Sequence, residues 1–412
     1  MGLPSEAPVR RSPLLAVFLT VVIDLLGFGI VLPLLPLYAD EHGAPGVVIG
    51  LLFVAFSGMQ FLTAPLWGRW SDRIGRRPVI LLGLTGSFLS YLLFAASEIL
   101  PYPLVWLFVS RTTAGVFGGT ISTAYAYIAD VTSTKERGRG MALIGMAFGI
   151  GFTIGPALGG LGYRWDPMAP GLIAAGCSAL AWLYAWRSLT EPERRRPTTR
   201  GTWLDTKAFR RAVGRPGVGL LLLAVFVTVS SFALMESTLG LLAKRVYAFD
   251  IHEVGLLFTY LGFWIALTQG LVVRRLLPRV GEVRMARAGA VLLAAGLLLL
   301  AADQTVLYLA CVAPLSVLGF GMVTPSVNAL LSLRTPGDEQ GGVMGISQSL
   351  QSLGRIVGPM VGLSLFGIAW PLPFRLGAAG MAGAFLLTLG LRTPGASTAE
   401  PSETSTTQSS GA

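Results

Sequence analysis

Long apolar stretches alternate with short charged ones along this chain. The apolar runs cover 13–38, 46–67, 79–97, 102–129, 140–161, 168–187, 217–241, 253–273, 285–302, 304–333, 343–369 and 373–391. Each is close to the roughly 20 residues that a helix needs to cross hydrocarbon. The pattern predicts an all-α polytopic membrane protein with twelve transmembrane helices. Asp303 marks the shortest connector. The first run is too long for a signal-peptide core and is followed by others, so it reads as the first span. One longer connector, 188–216, divides the chain into six-helix bundles over 13–187 and 217–392. Segments 1–12 and 393–412 flank them, and the Ser/Thr/Pro/Ala-rich tail is expected to be disordered.

Charge sets the expected orientation. Of 31 Lys and Arg residues, 25 fall at one set of connectors and ends. Four fall on the opposite side (Arg164, Lys244, Arg245 and Arg375), and Arg111 and Arg355 lie within predicted helices. Short Lys/Arg-rich loops stay cytoplasmic, so both termini are expected inside, in a bacterial inner membrane. The net charge of +10 is therefore an orientation signal and not a nucleic-acid-binding face. The connector from Arg187 to Arg215 holds nine basic residues and reads as a linker resting on anionic lipid. Charged residues are 13% of the chain, about half the share in soluble domains, which excludes an ordinary soluble fold.

Little points to enzyme chemistry. Cys177 and Cys311 both sit in apolar runs, and the two histidines, His42 and His252, lie near helix ends. No metal-ligand spacing, catalytic triad or phosphate-binding G-x-x-x-x-G-K-[ST] loop is present, so no metal and no cofactor is expected. Work done by such a protein must draw on an ion gradient.

Two motifs carry the most information. GRWSDRIGRRP at 68–78 places Asp72 and four arginines between two apolar runs, a charged turn that cannot lie in hydrocarbon. GFTIGPALGG at 151–160 returns as GRIVGPMVG at 354–362, both of the form G-x-x-x-G-P-x-x-G. Pro156 and Pro359 are 203 residues apart, and Gly75 and Gly281 are 206 apart, so the halves are internal repeats. Glycines at i and i+4 allow close helix contact, and a proline removes one backbone donor and kinks its helix. Gly151, Gly155, Pro156, Gly159 and Gly160, with Gly354, Arg355, Gly358 and Pro359, are therefore candidate elements of a rocking interface. Plain small-residue packing is the simpler alternative.

The turn resembles the signature loop of the major facilitator superfamily, G-x-x-x-D-R-x-G-R-[KR], through Gly68, Asp72, Arg73, Gly75, Arg76 and Arg77. The likeness extends over about 13–392. It is strongest to the drug:proton antiporters, tetracycline exporters in particular, in DLLGFGIVLPLLPLY (24–38), RTTAGVFGG (111–119), YIADVTSTKERGRG (127–140), FGIGFTIGPALGG (148–160) and GISQSLQSLGRIVGP (345–359). The resemblance implies alternating access. It also implies an Arg76–Asp130 contact, with Asp72 near a helix amino terminus, holding the cytoplasmic side closed. It implies a link between Arg111 and proton transfer. This chain departs from the tetracycline exporters where they carry further acids: GSFLSYLLF (86–94) has Ser90, and 285–302 has no acid. The resemblance therefore does not select tetracycline over other drugs.

Intramembrane charges are costly and usually face a cavity or a partner. Asp24 is the only acid well inside an amino-half span, which makes it a proton-coupling candidate and a candidate partner for Arg111. A structural hydrogen-bond acceptor is the alternative. Glu236 is a third coupling candidate, near enough to a helix end to be merely interfacial. Arg355 has Glu236 or an anionic substrate as candidate partners. Gln60, Tyr91, Tyr125, Gln269, Asn328, Gln348 and Gln351 are candidate cavity residues.

The sequence thus predicts a proton-coupled exporter of small, partly hydrophobic molecules, monomeric, with protons and the bilayer as its partners. A metabolite importer of the same fold and a non-transporting membrane sensor or assembly factor are the rivals.

Overall fold

The computed structural model describes residues 13–118, 121–132, 137–192, 214–215, 217–302, 305–335 and 340–390. Most of the basic connector and both terminal segments lie outside these residues, as does Asp303. The described residues contain helices and turns and no strand.

The first half comprises α1 (Pro13–Glu41), α2 (Gly46–Ile74), α3 (Arg76–Ala96), α4 (Pro103–Gly118), α5 (Ile121–Val131), α6 (Arg137–Tyr163) and α7 (Ala169–Ser188). The second comprises α8 (Val218–Val246), α9 (Ile251–Leu267), a π-helical stretch (Thr268–Val273), α10 (Arg274–Val280), α11 (Glu282–Leu300), α12 (Val306–Leu333), α13 (Gln340–Ile368) and α14 (Leu372–Leu389). One span runs from α4 into α5, and another from α9 through the π-helical stretch into α10. Each half therefore holds six spans.

Among the described residues, eleven of the twelve are long and apolar enough to cross a bilayer. The other is α13, 29 residues long and carrying Ser347, Gln348, Ser349, Gln351, Ser352 and Arg355. A helix this polar avoids lipid only by turning that face toward protein or water.

The charged turn is shorter than the 68–78 loop read from sequence. α2 continues through the charges to Ile74, and α3 begins at Arg76, with only Gly75 between them. A helix satisfies its own backbone groups, so it extends into water beyond the membrane at no hydrogen-bonding cost. Gly75 has φ +116°, and a Cβ there would stand 2.7 Å from Glu191. Gly281 makes the equivalent turn in the second half with φ +82°. Glycine is the residue that tolerates such backbone.

The repeated glycine motifs are the tightest helix contacts. A Cβ on Gly29 would lie 2.2 Å from the Gly151 carbonyl oxygen, and one on Gly155 would lie 2.6 Å from Gly29, so α6 rests on α1. A Cβ on Gly358 would lie 2.5 Å from the Ser230 carbonyl oxygen, so α13 rests on α8 in the same way. The opposite faces of α6 and α13 join the halves. Gly255 and Gly262 of α9 pack on Pro156, Gly160 and Phe152, and Gly46 and Gly50 of α2 pack on Leu363 and Met360.

These joining contacts lie toward one end of the molecule, called here the Asp40 end. Followed toward the Gly75 end, the same faces lose their partners. Phe61 on α2, Met146 on α6, Gln269 in the π-helical stretch and Leu353 on α13 are all exposed. A Cβ on Gly149, Gly270 or Gly345 would meet nothing within 4 Å. The halves therefore close on each other at the Asp40 end and part toward the Gly75 end.

Candidate functional site

The amino-half charges sit on helices packed by small residues. Asp24, on α1, accepts a hydrogen bond from Ser178 Oγ of α7 at 3.1 Å, and Ser87 of α3 is a second hydrogen-bonding neighbour. Arg111, on α4, is among the largest fully buried side chains. Its Nη2 donates to Ser110 Oγ at 3.0 Å, and its guanidinium lies 5.5 Å from the centre of the Phe94 ring. Its Nε has no hydrogen-bond partner among the described residues.

No ion pair joins Asp24 to Arg111 among the described residues. Tyr91 of α3 interacts electrostatically with both. Gly27 makes room for it: a Cβ there would lie 3.0 Å from the Tyr91 ring. A carboxyl, a phenol and a guanidinium thus influence one another, and linked polar groups can polarise and pass protons. Arg111→Lys keeps the charge but loses the planar face against Phe94 and the fork toward Ser110. Transport by this variant is expected to fall at least about tenfold, on the scale of one charged hydrogen bond. Flux per inserted molecule, normalised by surface labelling, is the measurement, and unchanged flux would show that only the positive charge matters.

In the carboxyl half, Glu236 of α8 lies ten residues before Val246, about 15 Å along the helix axis. It lines a small, mostly apolar cleft whose other walls include Phe152, Phe232, Phe258 and Gly262. The structure thus places it inside the molecule, away from the membrane interface. Among the described residues Arg355 of α13 makes one long hydrogen bond, 3.4 Å to Ser352 Oγ, and interacts electrostatically with Glu236 and with Tyr125 of α5. The cleft therefore takes residues from both halves.

The weaker candidates divide. Gln60 Nε2 donates to the Gly118 carbonyl oxygen at 3.1 Å and so ties α2 to α4. Gln351 Nε2 donates to Ser347 Oγ, and Ser347 Oγ to Asn328 Oδ1, each at 3.4 Å, which links α13 to α12. Tyr125, Gln269 and Gln348 are exposed.

The charged turn is organised differently from the expected gate. Arg76 pairs with Asp72 at 2.6 Å and with Asp130 at 2.9 Å, all within the first half. These pairs are made while the halves are apart at this end, so they brace one half and do not tie it to the other. Asp72 does not occupy the helix amino terminus. Glu191 does, accepting the backbone N–H groups of Arg76 and Arg77 at 2.7 and 2.9 Å. A carboxylate at that position complements the helix dipole. Arg77 Nη2 donates to the Trp186 carbonyl oxygen, while Arg73 is exposed.

The strongest polar link between halves escaped the sequence reading. At the opposite end, Asp40 accepts a bond from Arg245 Nη2 and pairs with Lys244 Nζ at 3.3 Å, and Glu41 lies 3.6 Å from the same Nζ. Arg245 also stands 5.8 Å over the Phe366 ring of α13. Asp40 and Lys244 are 204 residues apart, close to the 203 and 206 of the repeat. Equivalent positions near a pseudo-twofold axis meet, so opposite charges at repeat-related helix ends were the available signal. Partly exposed pairs contribute about 0.2–1 kcal/mol each. Asp40→Asn is expected to shift the balance toward opening at this end by a few-fold, with longer spin-label distances between the ends of α1 and α8. Unchanged distances would show that the glycine contacts alone seal it.

Comparison with known proteins agrees with this architecture. The family model described as Major Facilitator Superfamily matches residues 17–359, with a further match over 221–410. The chain belongs to this superfamily: it is an integral membrane transporter of small molecules and not an enzyme. It is 32% identical over 369 residues to the class E tetracycline resistance protein of Escherichia coli, covering 86% of this chain and 87% of that one. It is 28% identical over 387 residues to multidrug resistance protein 1 of Bacillus subtilis, covering 93% and 98%. The crystal structure of the human organic anion transporter MFSD10 (TETRAN) matches with a TM-score of 0.70 at 29% identity, covering 93% of this chain and all of that one.

Proposed function

We propose that this protein is a proton-coupled exporter of small, partly hydrophobic molecules that works by alternating access. It acts as a monomer in a bacterial inner membrane with both termini in the cytoplasm. The observation that carries this reading is the cleft between the halves, closed at the Asp40 end and open toward the Gly75 end, with Glu236 in its wall. The excess of Lys and Arg assigns the Gly75 end to the cytoplasm. The structure then corresponds to the inward-open state, in which a drug enters from the cytoplasm or the inner leaflet.

Asp24, Tyr91 and Arg111 form the proton-responsive group, with Glu236 as a second carboxyl in the substrate cleft. Loss of a proton from Asp24 strengthens its attraction to Arg111 and so changes the packing of α1, α3 and α4. The α1–α6 and α8–α13 glycine contacts let each half move as a unit, so a local change becomes a rocking of halves. The tetracycline and multidrug resistance proteins among the relatives support drugs as the cargo.

The test uses everted membrane vesicles with an acid lumen and a fluorescent tetracycline outside. Export predicts that the drug accumulates in the lumen and that collapsing the pH gradient releases it. Loss of preloaded drug from an acid lumen would indicate proton symport and overturn the reading.

A further inference from the structure

We propose that one face of α10 is a docking site for the headgroups of anionic phospholipids, with Arg275 and Arg279 gripping the phosphate and Leu276 lying beside the acyl chains. This goes beyond the export reading and holds for either direction of transport.

The length of the span places this face at the right depth. The span that ends in α10 runs from Ile251 to Val280, 30 residues. At roughly 1.5 Å per residue it is about 45 Å long, against about 30 Å for the hydrocarbon core and about 40–45 Å for the bilayer with its headgroups. It therefore reaches from one headgroup layer into the other, and α10 lies in the layer at the Gly75 end. None of the seven residues of α10 is buried. Leu277 is the side that leans inward, packing on a small core of Val273, Met285 and Met322. Successive side chains on a helix turn by about 100°, so residues two positions before and after Leu277 point about 160° away from it. Those residues are Arg275 and Arg279, and both are exposed. Being four apart, they lie one above the other on the face that turns away from the protein.

The fold leaves this charge unmatched. The 206-residue spacing of Gly75 and Gly281 makes Arg275 and Arg279 the counterparts of Arg69 and Arg73. The first half surrounds its turn with acids: Asp72 and Asp130 pair with Arg76, and Glu191 takes the backbone N–H groups of Arg76 and Arg77. In the second half Pro278 stands at the place of Asp72 and Glu282 at the place of Arg76. Arg287 turns to the carbonyl oxygens of Thr388 and Leu389 at the end of α14. Among the described residues no ion pair or hydrogen bond engages Arg274, Arg275, Arg279 or Arg284. The repeat has thus kept the outer arginines and lost the acid between them.

The chemistry of the face selects its partner. A guanidinium presents paired N–H donors to phosphate oxygens, and two guanidiniums one turn apart hold a single phosphodiester between them. Their alkyl stems lie along acyl chains while their heads stay among headgroups. Leu276, next to Arg275, is exposed as well. A soluble phosphate matches the arginines but leaves this leucine in water. A zwitterionic lipid brings its own cation, which competes for the phosphate. A phospholipid of net negative charge, such as phosphatidylglycerol, meets both the charge and the apolar surface.

The experiment follows melting of the full chain in dodecyl maltoside micelles during titration with phosphatidylglycerol, phosphatidylcholine or sn-glycerol 3-phosphate. Phosphatidylglycerol is expected to raise the melting temperature by several degrees, and the other two to leave it in place. Each arginine near a lipid surface is worth about fivefold in affinity, so the half-saturating concentration of phosphatidylglycerol should rise about 25-fold in Arg275→Gln/Arg279→Gln. Arg164→Gln/Arg375→Gln removes two exposed arginines from the Asp40 end and should keep the wild-type midpoint. Melting temperatures without added lipid show that the variants are folded. Native mass spectrometry gives a second reading, with fewer phosphatidylglycerol molecules retained by Arg275→Gln/Arg279→Gln than by wild type. Equal stabilisation by phosphatidylglycerol and phosphatidylcholine would overturn the inference. So would an unchanged midpoint in Arg275→Gln/Arg279→Gln, or an equal loss in Arg164→Gln/Arg375→Gln. Stabilisation by sn-glycerol 3-phosphate to the same extent would reveal a site for free phosphate and overturn the lipid assignment.

Discussion

Asp24→Asn is expected to bind substrate and to carry no protons. The amide fits where the carboxyl sits and still accepts a bond from Ser178 Oγ, which lies 3.1 Å away. It cannot titrate, so its attraction to Arg111 no longer depends on pH. Proton-driven flux in liposomes should fall to the background of protein-free liposomes, while calorimetric binding stays within about twofold of wild type, a difference of about 0.4 kcal/mol. Wild-type coupling in this variant would remove Asp24 from the mechanism and leave Glu236 as the carboxyl to test.

The second large effect is mechanical. Gly29→Val places its Cβ 2.2 Å from the Gly151 carbonyl oxygen, where backbone faces backbone and no side chain can move aside. Overpacking of this kind costs about 1–3 kcal/mol, and here it falls on the seam along which α1 and α6 move together. The variant should melt several degrees lower and transport poorly even where it inserts normally. Gly176→Val is the matched control, because a Cβ there meets nothing within 4 Å. Equal melting temperatures for the two variants would show that the α1–α6 seam is loose enough to absorb a side chain.

Much of the fold was legible because a bilayer leaves few choices. Hydrocarbon demands a long apolar run with an internally satisfied backbone, so spans and their repeat show directly in the chain. Glycine spacing showed which helices approach closely, since Gly151, Gly155 and Gly358 are defined by what cannot fit beside them. Helix ends were harder. Arg69, Asp72 and Arg73 read as a loop, yet α2 passes through all three, because charge excludes a residue from lipid but not from a helix.

The site was less legible, for a different reason. Its partners are set by the packing of helices far apart in sequence. Asp24 and Arg111 looked like a pair because they were the charges available, and the interaction of Tyr91 with both is visible only once α3 is placed against α1 and α4. Glu191 capping α3 lies more than a hundred residues from the turn it serves. The Asp40–Lys244 link, by contrast, left a readable trace in the repeat spacing.

The most direct test of proton-coupled export is the sign of the proton movement that substrate flow produces. Liposomes containing the protein are loaded with a tetracycline and a pH-sensitive dye and then diluted into drug-free buffer at equal pH. The sign is independent of which way the protein is inserted. Antiport predicts that protons enter as the drug leaves, so the lumen acidifies, with no such change in Asp24→Asn. Alkalinisation of the lumen, or drug efflux through the protein with no change in pH, would contradict the account.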